Sequence, residues 1–278
     1  MLQSNKPKLN ILVSYAYWQD RIIANLEESV DVKLFIDSGA FTAWKQGKEI
    51  KLNDYCAFLK DIPVKPWNYF VLDVVGDSEK TMRNYLEMME KGFKPIPIFT
   101  RGSDIKDIET YGETSKIIGI GGVAGTSKSL NYLEWLHLRI PNDIKLHWLG
   151  VTQSAMIVRH KPYSADSSSW SQTGRFGTLR IYLGKGRWKN TSRNQLKTVA
   201  PNPAVKKALE SYSSNWADLQ KESSWLNSSR NLAGLISTQS WLRFSKEIEE
   251  KTGTKIFAAT CNIEESDNLK DAAYYENN

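Results

Sequence analysis

The chain has 278 residues, of which 41% are hydrophobic and 24% charged, with a formal net charge of +6 at neutral pH. This length and composition indicate an ordinary soluble protein that buries a substantial core, which excludes fibrous and low-complexity classes. The excess of Lys and Arg favours a polyanionic partner without requiring one.

Two cysteines, Cys56 and Cys261, lie far apart in the sequence with no Cys/His cluster around either of them. This usage fits a reducing compartment, implies no disulfide framework and leaves too few thiols for a cysteine-rich zinc site. The first apolar run is too short for a signal-peptide core or a membrane span. We therefore expect a cytoplasmic protein without membrane attachment, metal or cofactor.

Short apolar, β-branched segments alternate with segments of helical spacing between residues 9 and 185, a pattern typical of βα units around a parallel sheet. The predicted strands are Asn10 to Ser14, Lys33 to Asp37, Tyr69 to Asp73, Pro95 to Phe99, Lys116 to Ile120, Lys145 to Leu149, Tyr163 to Asp166 and Thr178 to Tyr182. Helices are predicted over Trp18 to Glu28, Asn53 to Lys60, Ser78 to Lys91, Ser127 to Leu138 and Gln153 to His160. Eight strands predict an α/β fold of the (β/α)₈ TIM-type barrel class, with a doubly wound open sheet as the competing arrangement.

After Leu183 the composition becomes basic and glycine-containing, and three further helices are predicted, Asn202 to Ser213, Trp216 to Leu226 and Ser229 to Thr252. The polar, acidic end of the chain, Glu264 to Asn278, is expected to fray. The prediction is thus a catalytic barrel domain of residues 1–185 followed by an all-helical C-terminal extension of residues 186–278.

Three aspartates, Asp37, Asp73 and Asp166, stand at the carboxyl ends of predicted strands. Active sites of barrels are built at that end, so acids from three strands can converge on one pocket. Singly, Asp37 and Asp73 fit turns and Asp166 fits a helix N-cap. Their matching positions favour a cluster of functional carboxylates.

Glycines near these strand ends add positions where backbone can approach a flat ligand closely, namely Gly39 and the pair Gly121-Gly122. The segment Gly119 to Gly125 superficially resembles a dinucleotide-binding loop, but its spacing is not GxGxxG, which argues against NAD. The histidines His137 and His147 fit core or surface positions better than metal ligands.

Aromatic residues follow the acids closely. Most tryptophans of such a chain are core residues, whereas Phe41, Trp44 and Trp170 are placed to stack against a base or a sugar. The densest basic stretch surrounds Trp188 and is either a solvated loop or a phosphate-gripping edge beside the pocket. Its members are Arg175, Lys185, Arg187, Lys189 and Arg193.

The sequence DSGAF at Asp37 to Phe41 resembles the DSGGF signature of the tRNA-guanine transglycosylases. Later segments follow in the matching order: YFVLD ending at Asp73, IGIGGVAG with Gly121-Gly122, HWLGV with Leu149-Gly150, and SADSSSW with Asp166. DSGAF with a following Trp, together with DSSSW, more closely resembles the DpdA-type branch of phages and genomic islands, which inserts 7-deazaguanines into DNA. The resemblance covers approximately residues 10–183.

This resemblance implies base exchange at an N-glycosidic bond in a (β/α)₈ barrel. Asp166 would be the nucleophile that attacks the sugar C1′, and Asp37 the general acid/base for the leaving and incoming bases. Asp73 would hold the purine edge. The substrate-binding set implied by the same motifs is completed by Ser38, Gly39, Phe41, Gly121, Gly122, Leu149, Gly150 and Trp170. Glycosidic cleavage builds positive charge on the sugar, which one carboxylate stabilises while a second acid protonates the leaving base.

The chain departs from the tRNA enzymes in lacking the three cysteines and one histidine of their zinc site, since only Cys261 lies in that region. This departure favours DNA over tRNA as the polymer, with 7-cyano-7-deazaguanine as the expected incoming base. A duplex would require base flipping or a partner protein that opens it. Exchange in tRNA, hydrolysis of a modified base and a non-catalytic nucleic-acid-binding barrel remain alternatives. A phage-encoded protein acting in a host cytoplasm fits the resemblance.

Overall fold

The computed structural model describes residues 6–27, 30–123, 127–196, 202–225 and 231–277. In these residues the strands are β1 Lys8–Ser14, β2 Asp31–Asp37, β3 Asn68–Tyr69, β4 Ile98–Thr100, β5 Ile117–Gly121, β6 Lys145–Trp148, β7 Ser164–Ser167, β8 Thr178–Tyr182, β9 Trp188–Ser192 and β10 Lys255–Thr260. The helices are α1 Asp20–Glu27, α2 Ala40–Lys45, α3 Leu52–Asp61, α4 Ser78–Glu90, α5 Asp107–Thr114, α6 Ser127–His137, α7 Ser154–His160, α8 Gln172–Phe176, α9 Arg193–Leu196, α10 Pro203–Ser211, α11 Trp216–Gln220, α12 Leu232–Thr252 and α13 Ile263–Asn277. The predicted helix ends at Glu28, Leu226 and Ser229 lie outside the described residues.

Eight strands form one parallel, curled sheet in the order β3-β2-β1-β10-β7-β6-β5-β4. The outer strands β3 and β4 approach each other through a single parallel bridge between Phe70 and Ile96. Two hydrogen bonds support this bridge, from Val71 N–H to the Ile96 carbonyl at 2.9 Å and from Ile96 N–H to the Tyr69 carbonyl at 2.8 Å. The sheet is therefore an open, half-barrel form of the predicted α/β architecture that is compatible with a TIM-like barrel.

The identity of the eighth strand was predicted wrongly. Thr178–Tyr182 is a strand, but it pairs antiparallel with β9 in a separate two-stranded sheet. The eighth position belongs to β10, which pairs with β1 on one side and β7 on the other. Its sequence KIFAAT is apolar enough to lie in a sheet buried on both faces, and Phe257 is fully buried.

The prediction of an all-helical segment after residue 185 is also wrong, because β9 and β10 both lie in it. The main sheet consequently draws on residues beyond the predicted barrel domain of residues 1–185. The chain end was expected to fray, yet α13 buries Leu269 and Ala272. The Ser266 hydroxyl also donates to the Ile22 carbonyl at 2.7 Å, which ties α13 to α1. Among the described residues, no helix is long and apolar enough to cross a membrane.

Candidate active site

A layer of aromatic rings fills the inside of the curled sheet just below its carboxyl end. Phe35 stacks on Phe70 with ring centroids 4.4 Å apart, and the two rings contact His147 with centroid distances of 5.1 and 5.0 Å. Phe257 closes the layer against Phe35 at 5.3 Å. A Cβ at Gly119 would lie 2.9 Å from the Phe70 ring, so the absence of a side chain there makes room for the layer. The layer forms a rigid apolar floor.

Asp37 ends β2 two residues after Phe35, so its side chain leaves the strand on the same face as this floor. Its Oδ2 accepts a hydrogen bond from the Gly39 N–H at 2.9 Å. Gly39 has a φ of +80°, and a Cβ there would lie 2.7 Å from the Ala16 Cβ. Glycine is therefore required at this position for two reasons, the backbone conformation and the close approach of the segment that follows β1.

Burial raises the pKa of Asp37 to about 7, and repulsion from the neighbouring carboxylate of Asp73 adds to the increase. The Gly39 N–H lowers this pKa, the charge of Asp166 raises it and the Ser14 hydroxyl lowers it. All three predicted acids therefore interact electrostatically at one end of the sheet. Asp37 can therefore hold a proton near neutral pH.

Asp73 lies four residues after β3, and Ser38 holds it in place. The Ser38 hydroxyl donates to Asp73 Oδ1 at 2.8 Å and is itself fully buried. Burial raises the pKa of Asp73, and the hydrogen bond from Ser38 partly opposes that increase. Ser38 was expected to contact a substrate, but this geometry uses its hydroxyl to orient Asp73.

Asp166 lies in β7 and has a different environment, made of hydrogen-bond donors. Its Oδ1 accepts from the Gly150 N–H at 3.0 Å and lies 3.1 Å from His147 Nε2. The other ring nitrogen, Nδ1, is 2.8 Å from the Ser164 hydroxyl. A carboxylate accepts only, so we assign the proton to Nε2 and let Ser164 donate to Nδ1. This arrangement gives Oδ1 two hydrogen-bond donors, which orient the carboxylate.

His147 is the functional residue that sequence reasoning missed. It was interpreted as a core or surface residue, and it is indeed fully buried. The β6–β7 register, which pairs His147 with Ser164, puts the imidazole directly below Asp166. A histidine inside an apolar strand at the start of HWLGV was the available signal.

The predicted glycine pair lies at the carboxyl end of β5, in the same parallel sheet as the strands that carry Asp37 and Asp166. Gly121 is buried at the strand end, and a Cβ there would lie 3.1 Å from Ile98 and 3.3 Å from Thr100. Gly122 is exposed with a φ of +68°. Leu149 comes near Gly121, whereas Gly150 uses its N–H on Asp166. The side chains of Ile98 and Thr100 therefore occupy the side of Gly121 where a Cβ would project, and the exposed backbone of this pair is at Gly122.

The three candidate stacking residues differ in exposure. Phe41 and Trp44 on α2 are 55% and 57% exposed, with ring centroids 6.0 Å apart and planes inclined by 26°. Trp170 is only 2% exposed, and its Nε1–H donates to the Ala259 carbonyl at 3.0 Å. The predicted stacking role of Trp170 is therefore wrong, since its indole anchors the loop after Asp166 to β10.

The predicted basic stretch separates into members with different surroundings. Lys185, Arg187 and Lys189 are exposed on and beside the turn that joins β8 to β9. Arg193 forms an ion pair with Glu222 at 2.6 Å. The side chain of Arg175 lies outside the described part of the structure. Arg180, which was not predicted, stacks on Trp188 at 4.7 Å and reaches the Ser169 carbonyl at 3.3 Å, so the hairpin is joined to the loop after Asp166.

No family model matches this chain, and no curated protein gives a significant match to it. Within the described residues, no group of three or more His, Cys, Asp or Glu side chains is arranged to hold a metal ion.

Proposed function

We propose that this chain is a guanine transglycosylase that exchanges guanine for a 7-deazaguanine in DNA through a covalent Asp166–glycosyl intermediate. One observation carries the proposal: Asp37 and Asp166 lie at the same end of the sheet in opposite environments. Burial and a neighbouring carboxylate favour the protonated form of Asp37, while the Oδ1 atom of Asp166 has two hydrogen-bond donors. Base exchange needs one acid that delivers a proton and one carboxylate that attacks.

In the first half-reaction Asp166 attacks the sugar C1′ while the bond from C1′ to N9 of guanine breaks. The electron pair of that bond leaves with guanine, and Asp37 delivers its proton to the leaving base. Both described hydrogen bonds of the Asp166 carboxylate involve Oδ1, so Oδ2 is the oxygen that bonds to C1′. Charge that builds on the sugar faces a carboxylate whose orientation is fixed in advance.

The second half-reaction reverses these steps with a different base. The incoming 7-deazaguanine gives its N9 proton to Asp37, and N9 then attacks C1′ and releases Asp166. Asp37 returns to its protonated form and Asp166 to its ionised form, so atoms and charges balance over one exchange. A pKa of about 7 suits a group that both gives and accepts a proton in this cycle.

The base is bound between backbone and aromatic surface. Asp73, oriented by Ser38, accepts hydrogen bonds from the N–H groups on the purine edge. Gly121-Gly122, of which Gly122 is exposed, would supply backbone contacts to the base, and exposed Phe41 lies at the start of α2. For this pocket we also propose a closed (β/α)₈ barrel, which the Phe70–Ile96 bridge supports.

The test is incorporation of radiolabelled guanine into single-stranded DNA that contains guanine, followed by denaturing electrophoresis for a covalent adduct. We expect both signals from the parent chain and neither from Asp166→Asn, because the amide is not a nucleophile. Loss of a nucleophile typically reduces turnover by about 10⁴-fold or more. An exchange rate for Asp166→Asn equal to that of the parent would overturn the assignment.

Two controls give the result its meaning. Asp61→Asn changes an exposed aspartate at the end of α3 and should leave exchange unchanged. Transfer RNA offered in place of DNA tests the polymer, and preferential labelling of tRNA would move the substrate without changing the chemistry. Binding without exchange or adduct by the parent, retained in Asp166→Asn, would instead indicate a non-catalytic binding protein.

A further inference from the structure

A cleft lies between α2, the segment of residues 48–52 and the start of α4. It encloses about 420 Å³ and shares Asp73 with the acid cluster. Trp44 forms one wall, and Val74 and Val75 form part of another. Neither Asp37 nor Asp166 lines it, so this cleft is adjacent to the proposed reaction centre and distinct from it.

We infer that this cleft binds the nucleotide next to the target guanosine in a single strand of DNA, with its base on Trp44 and its phosphate near Lys48 and Lys51. The inference rests on the proposed function, because that function places the target base at the acids. Phe41 and Trp44 lie one helical turn apart with exposed, nearly parallel rings. Two successive bases of an unstacked strand can each stack on one of these two rings.

The charges around the cleft agree with a phosphate. Lys48 and Lys51 are exposed on one side of it, and Lys80 of α4 lies on the other. Lys80 Nζ pairs with Glu49 Oε1 at 2.9 Å, so that acid is largely neutralised. Asp73 is the second acid of the cleft, and burial raises its pKa. Positive charge therefore dominates at the outer rim, where the backbone of a bound strand would pass.

The experiment measures fluorescence anisotropy of a short labelled oligonucleotide with one dG among dT residues. We expect Trp44→Ala to weaken binding by about fivefold or more, the low end for removal of one base–aromatic stack, and Trp44→Phe to retain most of the affinity. An abasic site on one side of dG should weaken binding to the parent equally. That abasic site should have little further effect on Trp44→Ala, because both changes remove the same interaction.

The phosphate contact is tested by Lys48→Glu combined with Lys51→Glu. This pair should weaken binding about tenfold and flatten its salt dependence, since each phosphate contact on a single strand contributes about 0.7 to the slope of log K against log salt. Lys65→Glu with Lys94→Glu is the matched control. These two exposed lysines precede β3 and β4 at the opposite end of the sheet, and they should leave binding unchanged.

The outcomes separate the cleft from the reaction. If base exchange is normal but Trp44→Ala and the abasic strands change DNA affinity by less than twofold, the inferred nucleotide site in the cleft is overturned and the proposed function stands. Coupling between Trp44 and the abasic site without base exchange overturns the reaction and retains the binding site. Equal weakening by the control lysines overturns the phosphate contact, and no binding of DNA by the parent chain overturns both proposals.

Discussion

Aspartate side chains on the two sides of the sheet's carboxyl end have different surroundings. On the β2–β3 side, burial raises the pKa of both Asp37 and Asp73, and repulsion between the two carboxylates adds to the increase at Asp37. On the β6–β7 side, Asp166 receives donors from Gly150 and His147. Position at a strand end brings the acids together, but the neighbouring groups give each acid a different environment.

This difference gives each acid a distinct chemical capacity. A carboxylic acid that keeps its proton near neutral pH can protonate a leaving group, whereas a carboxylate held by donors can attack or stabilise a cation. Neither capacity follows from aspartate itself. Variants that remove a donor from Asp166 or the charge beside Asp37 test whether these environments determine the two roles.

The largest effect among these changes is expected from His147→Phe. Phenylalanine fits among Phe35, Phe70 and Phe257 but removes the donor from Asp166 Oδ1. We expect the first-order rate of adduct formation to fall about 100-fold with little change in DNA affinity, as is usual when one preorganised donor is removed. Quenched adduct assays and anisotropy measure the two quantities, and a rate within threefold of the parent would remove His147 from the mechanism.

The next effect is a shift in pH dependence on Asp73→Asn. Adduct formation requires protonated Asp37, so its rate should fall as the pH rises above about 7. Removing the charge of Asp73 lowers the pKa of Asp37, which moves the alkaline decline to lower pH. Rate profiles of the parent and Asp73→Asn measure this shift, and superimposable alkaline limbs would show that Asp37 does not limit the reaction.

The pH dependence of the free energy of unfolding should report the pKa of Asp37 independently of catalysis. The pKa of Asp37 rises from 3.8 to about 7 on folding, so the folded chain binds more protons between these values and loses stability as pH rises through them. Asp37→Asn removes that decrease. The free energy of unfolding of Asp37→Asn minus that of the parent should therefore be larger near pH 8 than near pH 4, by up to roughly 4 kcal/mol.

Denaturant unfolding at both pH values measures this difference, with Asp61→Asn as the exposed control. The control should change stability equally at the two pH values. An Asp37→Asn variant whose relative stability is independent of pH would mean that folding does not raise the pKa of Asp37, which would remove its role as the acid.

The positions of the acids could be predicted because strand ends are a local property of the sequence. Asp37 follows an apolar run and Asp166 ends the short predicted strand that begins at Tyr163, and parallel strands bring their carboxyl ends to one edge. The different surroundings of the acids could not be predicted, because they depend on the long-range pairing of His147 with Ser164 and on the packing of Asp73 beside Asp37.

The eighth strand of the sheet could not be predicted for the same reason, because its position depends on long-range strand pairing. Thr178–Tyr182 and Lys255–Thr260 are both short, apolar and strand-like, so local pattern alone does not choose between them. The glycine-containing turn that follows Tyr182 and precedes Trp188 was a hairpin signal, and the structure has an antiparallel pair there. The position between β1 and β7 was then left for β10.

The smallest effect is expected at the hairpin, which tests whether the β6–β7 side also meets the DNA backbone. Arg187 and Lys189 are exposed on the hairpin, and Arg180 connects it to the loop after Asp166 through the Ser169 carbonyl. Arg187→Glu with Lys189→Glu should weaken DNA binding severalfold and reduce its salt dependence by about 0.7 for each phosphate that is no longer neutralised. Anisotropy over a salt series measures both, with Lys65→Glu and Lys94→Glu as controls of equal charge change. If the hairpin pair and the control pair have identical salt slopes, the hairpin is a solvated loop, and DNA is held on the β2–β3 side alone.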